Sequence, residues 1–319
     1  MYPQKTVLPL VHSQTHPPST WLTPAQCKSL SVAGTTAHRL GSGPGGWVER
    51  LGEVVNVSYK SEAALEELLA GLAVQSEASG WAPVRVFTRF LPLKNAERIA
   101  PVLHSGDASL PWTMVVTENG VRYGIDLAAG YSHGLFLDQR RNRAKLRSLS
   151  PKRVLNTFAH TCSFSVVAAL AGAQTLSVDL SRKWLDRGRQ NLELNGLPAK
   201  GHRFLAEDTL ALLPKLDPRK ERFDAIILDP PTFSKGKNNR RWQVEQDFES
   251  LLNAALDLAM PKCAILISTN CTTLDAVSLE RRARWCVKDK RLVADFMNVG
   301  SQVDFPPGHG ASTLWVMVR

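Results

Sequence analysis

No apolar run in the 319 residues approaches the ~20 residues that a membrane-crossing helix needs, although 44% of the chain is hydrophobic. The expectation is a soluble globular protein with no membrane partner. Cysteines are few: Cys27, Cys162, Cys263, Cys271 and Cys286 form no CxxC pair and have no His cluster beside them. That pattern excludes a disulfide scaffold and gives no metal site, and it fits a reducing, cytoplasmic compartment. Residues 1–32 lack both an apolar signal core and an Arg-rich amphipathic pattern, so they read as a flexible tail, with an organelle address as the alternative. Charge excess is missing from the first 120 residues, which hold 9 basic and 9 acidic side chains. Residues 121–319 hold 30 against 20, so the whole net charge of +10 sits in the second part and suits a polyanionic partner such as nucleic acid.

Glycine is absent from one telling place. "VLNTFAHTCSFS", Val154 to Ser165, runs like the first strand and turn of a nucleotide-binding α/β domain, with no glycine in the turn.

What is present divides in two. Residues 33–127 read as a small α+β domain: a strand in "GEVVNVSY", a helix over Ser61–Val74 capped by Ser61, a strand in "PVRVFTRF", and a hairpin over Trp112–Leu127 turning at Asn119-Gly120. Residues 128–319 alternate strands and helices, which predicts a doubly wound, mostly parallel sheet of seven strands. The helices fall near Ser163–Ala171, Ser181–Asn195, Thr209–Leu213, Gln243–Met260 and Leu274–Lys288.

Ligands of such sheets bind beyond the carboxyl ends of the strands, where strand order reverses. The first strand ends at Asn156, and its turn opens a helix whose N–H groups suit an anion. Asp179 ends the second strand, where an acid accepts both hydroxyls of a ribose; Ser181 is the better helix cap, which leaves Asp179 free. Asp208 either faces an adenine amino group or caps the next helix. The fourth strand ends in "LDPPTFS", where Pro230 and Pro231 fix φ and remove two donors, leaving a rigid, acceptor-rich ledge. Asp229 and that ledge would hold a planar base by its amino edge, with Phe233 placed to stack on it.

Taken together, "FLDQRRNR", "VLNTFAHTCSFS", "SVDLS…NLELNGL", "AEDTLALL" and "IILDPPTFS" resemble the class I S-adenosylmethionine-dependent methyltransferases that modify bacterial large-subunit ribosomal RNA. The nearest branch is that of the cytosine carbon-5 and guanine N7 enzymes, and the resemblance runs from about Thr36 to Arg319. It implies a Rossmann-like catalytic fold, S-adenosyl-L-methionine as cofactor and RNA, above all rRNA, as partner. It also implies cofactor contacts from Phe136, Asp138, Gln139 and Arg140, and from Asn156, Phe158, His160, Thr161, Cys162 and Ser163 in the first turn. Asp179 and Leu180 would take the ribose, Asp208 the adenine, and Asp229, Pro230, Pro231 and Phe233 the target base. Family members carry Tyr-Thr-Gly where this chain has His160-Thr161-Cys162, and many carry an N-terminal RNA-binding module for which the 30 residues of tail are too few.

By the same resemblance Cys271 matches the nucleophile of the carbon-5 enzymes, which adds to carbon 6 of the pyrimidine before transfer. The alternative is a small packing residue at a strand end, with transfer to a nitrogen that needs no covalent step. Arg141, Arg143, Lys145 and Arg147 read as a solvated or phosphate-facing helix side. "SKGKNNRRWQ", with Lys235, Lys237, Arg240 and Arg241, reads as a mobile RNA-contacting loop. Two rival functions remain: methylation of a protein or small molecule on nitrogen or oxygen, and an RNA-binding fold without cofactor.

Overall fold

The computed structural model describes residues 19–91, 99–231, 233–235, 241–271 and 273–319. Its first sheet has six strands in sequence order: β1 (Thr20–Trp21), β2 (Ala37–Gly43), β3 (Gly46–Leu51), β4 (Val54–Tyr59), β5 (Arg85–Phe90) and β6 (Val102–Gly106). All pair antiparallel except β4 with β5, which α2 (Glu62–Ser79) connects as a parallel crossover. Ser61 caps α2 by accepting the Ala64 N–H, and Gly80 ends it in the left-handed region at φ 65°, so the helix runs past the expected Val74.

The expected tail carries regular structure over residues 20–32. Its strand β1 leads into α1 (Pro24–Val32), opened by a capping box between Thr23 and Gln26 with Pro24 at its start. Leu22 and Cys27 pack with Leu68 and Leu72 of α2 over one face of the sheet, so residues 20–32 are part of the small domain. Burial of those apolar side chains holds a segment whose local pattern is mostly polar.

The hairpin of β7 (Thr113–Glu118) and β8 (Val121–Asp126) turns on Asn119 and Gly120, both at positive φ, as a two-residue type I′ turn requires. A 3-10 turn (Leu137–Gln139) and α3 (Arg140–Ser148) then precede the second sheet. Its elements are β9 (Arg153–Thr157), α4 (Ser163–Leu170), β10 (Gln174–Asp179), α5 (Arg182–Leu194), β11 (Arg203–Ala206), α6 (Thr209–Leu212) and β12 (Phe223–Leu228). A short ladder of β13 (Phe233–Lys235) and β14 (Arg241–Gln243) follows, then α7 (Val244–Asp257), β15 (Ala259–Thr269), α8 (Ala276–Asp289), β16 (Ala294–Met297) and β17 (Ser312–Val318). The helix expected to reach Met260 thus ends at Asp257, and β15 begins two residues later.

The seven strands stand in the order β11-β10-β9-β12-β15-β17-β16, with only β17 running against its neighbours. Strand order reverses between β9 and β12. Successive residues of the central strands go to opposite faces: Leu155, Ile226 and Ile265 pack with α7 and α8, whereas Val154, Ile227 and Leu266 pack with α4. The second cluster continues through Val116, Tyr123 and Ile125 of the hairpin to Leu51, Val54 and Phe87 of the small sheet. One apolar core therefore joins the two sheets, and residue 127 lies inside it.

Candidate active site

A cavity of about 380 Å³ opens beyond the carboxyl ends of β9, β10 and β12, at the point where strand order reverses. From β9 and its turn come Asn156, Phe158, His160 and Ser163, and from the second strand's end Asp179 and Leu180. Asp208, Asp229, Pro230 and Pro231 line it from the later strand ends, and Phe136, Asp138 and Gln139 close it from the turn before α3.

Local geometry explains each placement. Asp179 caps nothing: one carboxylate oxygen accepts the His160 N–H at 2.8 Å and the other the Ser181 N–H at 2.8 Å, while Ser181 itself caps α5. Each oxygen keeps a lone pair for a hydroxyl, which is the donor pattern of a ribose. Burial pushes the Asp179 carboxyl up, and the two backbone donors oppose that shift. Asp208 caps α6 through Oδ1, accepting from Leu210 and Ala211, and it also lines the cavity. Asn156 reaches Ser165 at 2.9 Å and ties the strand to the buried helix α4.

Phe158, His160 and Cys162 all lie at positive φ, 51°, 48° and 59°, so the glycine-free turn adopts the left-handed conformations that glycine would supply. Turn residues Thr161 and Cys162 do not line the cavity. Thr161 donates its hydroxyl to the Gly134 carbonyl, and Cys162 lies fully buried against α5, where burial pushes its thiol up to about 12. Arg140 also turns away, pairing with buried Asp304, which in turn accepts the Arg39 N–H of β2 at 3.2 Å.

Several lining residues were not expected, Trp184, Arg143 and Asn270 among them. Trp184, on the first turn of α5, meets His160 in a tilted contact at 4.3 Å between ring centroids, and His160 meets Phe136 at 5.2 Å, so an aromatic wall forms beside Asp179. Burial depresses the His160 imidazole to about 3, so the ring is neutral. Its sequence signal was a tryptophan three residues after the Ser181 cap. Arg143 is not on a solvated helix side: it is fully buried, donating to Glu118 of β7 at 2.7 and 2.5 Å and to the Phe136 carbonyl at 2.8 Å. Residues 140, 143 and 146 share the inward face of α3, which leaves Arg141 and Arg147 exposed. Asn270, after β15, also lines the cavity.

Burial raises Asp229 to about 6, opposed by a hydrogen bond from Ser268, raised further by Asp138 and lowered by Arg143. Burial raises Asp138 as well, against the Ala311 N–H that it accepts at 3.0 Å. Cys271 is buried and does not line the cavity; its Sγ lies 3.0 Å from the Glu245 carboxylate and 3.0 Å from the Thr273 hydroxyl. Phe233, Lys235 and Arg241 stand on the β13–β14 ladder, so the expected loop is strand at both ends, while Lys237 and Arg240 lie outside the described residues.

A doubly wound sheet with an acid closing its second strand and an Asp-Pro-Pro ledge beyond its fourth, both on one cavity, defines the class of Rossmann-like ligand-binding folds. The profile of the S-adenosylmethionine-dependent methyltransferase family matches residues 47–316, and the chain belongs to that family. It is 32% identical over 243 residues to ribosomal RNA large subunit methyltransferase K of Neisseria meningitidis, covering 74% of this chain and 66% of that one. To ribosomal RNA large subunit methyltransferase I of Aeromonas salmonicida it is 42% identical over 138 residues, 43% of this chain and 34% of that one. The chain thus spans between a third and two thirds of the length of these curated relatives. Among solved structures, the fold is shared with the methyltransferase SMU.776 complexed with SAH, at TM-score 0.75 and 22% identity over 94% of this chain and 83% of that one. Among the described residues no helix is long and apolar enough to cross a membrane.

Proposed function

We propose that this chain transfers a methyl group from S-adenosylmethionine to a nitrogen of a base in structured RNA, with ribosomal RNA as the substrate class. One observation carries the reading: Asp179 and the Asp229-Pro230-Pro231 ledge open onto the same cavity, so a cofactor held at one reaches a base held at the other. The cavity fits the cofactor chemically, with acceptors at Asp179, Asp208 near an adenine edge, and an α4 N-terminus at Ser163 whose first-turn N–H groups have no side-chain cap.

When bound, S-adenosylmethionine supplies an electrophilic methyl group, and the product leaves as a thioether. Asp229 accepts a hydrogen bond from the base and orients its nitrogen lone pair; where that nitrogen bears hydrogen, the released proton passes to the Asp229 carboxylate and then to solvent. Nitrogen is favoured over carbon 5 because no cysteine among the described residues lines the cavity, and the Cys271 thiol is hydrogen-bonded to Glu245 instead. RNA fits the charge excess of residues 121–319 and the placement of Lys235 and Arg241 on the ladder that follows the ledge. The names of methyltransferases K and I support ribosomal RNA within that class.

The test is transfer of labelled methyl from S-adenosylmethionine to total RNA and to a protein extract by the purified full-length chain. Label in RNA is expected. Label in protein alone overturns the RNA assignment, and no label in either, with no thermal stabilisation by S-adenosylhomocysteine, leaves an RNA-binding fold without cofactor.

A further inference from the structure

Four buried side chains run in a line from the antiparallel strand β17 to the ledge. The Trp315 indole Nε1 lies 2.9 Å from Asn142 Oδ1, Asn142 Nδ2 lies 2.9 Å from Gln139 Oε1, and Gln139 Nε2 lies 2.7 Å from Ser268 Oγ. Ser268 stands one residue beyond the Leu228–Ile267 pair of β12 and β15, beside Asp229, and its hydroxyl acts to lower the Asp229 carboxyl. None of the four is more than 2% exposed.

The direction of every bond in this line follows from one end. An indole N–H only donates, so Asn142 must present its oxygen to Trp315 and its amide N–H₂ to Gln139. Gln139 is then obliged to present its oxygen to Asn142 and its own N–H₂ to Ser268. The Ser268 oxygen is thereby occupied as acceptor. Its single proton is left for Asp229.

We propose that Trp315, Asn142, Gln139 and Ser268 form a one-way donor relay that orients Asp229 and holds it as an acceptor for the target base. These four are positioning residues, and their role rests on the reading of Asp229 as the group facing the base. The relay also reassigns Gln139: it lines the cavity, yet both ends of its amide are committed to the line. The need for such a device is physical. Asp229 is part-buried, desolvation and the Asp138 carboxyl both raise it, and of the charged groups that act on it only Arg143 favours its anion, while that arginine is already paired to Glu118 of β7. Donors polarised in series strengthen one another modestly, so the far end of the line acts on Asp229 without touching it.

Carboxyl ¹³C NMR titration of the full-length chain tests this, with the Asp229 signal identified by its loss in Asp229→Asn. The wild-type midpoint is expected near 6. Ser268→Ala should raise it by about one pH unit, the effect of one lost hydrogen bond to a charged group. Gln139→Met and Trp315→Phe should each raise it by a few tenths, leaving the Asp179 midpoint in place. A merely structural role predicts no such shift in a folded variant. Wild-type midpoints in both distal variants, with Ser268→Ala alone shifted, would reduce the relay to one local bond and overturn it, as would an unmoved Ser268→Ala. If Gln139→Met or Trp315→Phe fails to fold, the other decides. The acid limb of methyl transfer to RNA should shift with the midpoint; absence of transfer in wild type at every pH sinks the proposed function while the titration still judges the relay.

Discussion

Cys162 and Gly188 share one space. Cys162 stands in the first turn at φ 59°, and a Cβ added to Gly188 of α5 would meet its Sγ at 2.4 Å and its Cβ at 2.8 Å. The glycine that the family carries in the turn is absent here, and one stands instead on the helix that faces it. The cysteine thus points toward α5 and away from the cavity, which keeps the cofactor side open.

Gly188→Ala should therefore destabilise the fold by about 1–3 kcal/mol, the usual range for overpacking a tight core. Cys162→Gly in the same chain should recover part of that loss. Urea unfolding of the single and double variants measures the coupling, and strictly additive effects would show that the two residues are independent.

Asp179→Ala should weaken S-adenosylhomocysteine binding about 10- to 100-fold, since it removes a charged acceptor that also holds the His160 and Ser181 N–H groups. Asp179→Asn, which keeps one acceptor oxygen, should fall between. Calorimetric titration checks the order, and wild-type affinity in the alanine variant would remove the ribose assignment.

Cys271→Ala should retain methyl transfer to RNA, and wild-type protein should form no covalent adduct with 5-fluorocytosine RNA. The basis is that the Cys271 Sγ lies 3.0 Å from the Glu245 carboxylate and does not line the cavity. A trapped adduct that Cys271→Ala cannot form would restore the carbon-5 mechanism.

Asp229 is held against stability. Its folded carboxyl sits near 6, above the usual 3.8, so the native state retains a proton that the unfolded chain has lost between those values. The contribution it makes below pH 3.8 is lost as pH rises through 6. Asp229→Asn should therefore stabilise the fold by up to about 3 kcal/mol at pH 8 and by much less at pH 4, while abolishing transfer. Urea midpoints at the two pH values check this, and an equal gain at both would show that the carboxyl is not perturbed.

The doubly wound sheet was legible because its strands and helices carry clean periodicities, and because Asp179, Asp229 and the two prolines sit at strand ends, beyond which such sheets bind ligands. The small domain was less so. β2 and β3 bury Arg39 and Glu49 against each other at 3.5 Å, and α1 is mostly polar, so neither shows the apolar alternation or stripe that marks an element. Arg143 looked solvated because its partner Glu118 lies 25 positions away on another element. The direction of the Cys162 and Cys271 side chains is likewise set by Gly188 and Glu245, which no local motif contains.

The most direct test of the central claim is mass spectrometry of nucleosides from ribosomal RNA of cells with and without the gene. The account predicts loss of one nitrogen-methylated base, restored by the wild-type gene and not by Asp229→Ala. Identical nucleoside profiles, or loss of a carbon-5-methylated pyrimidine instead, would contradict it.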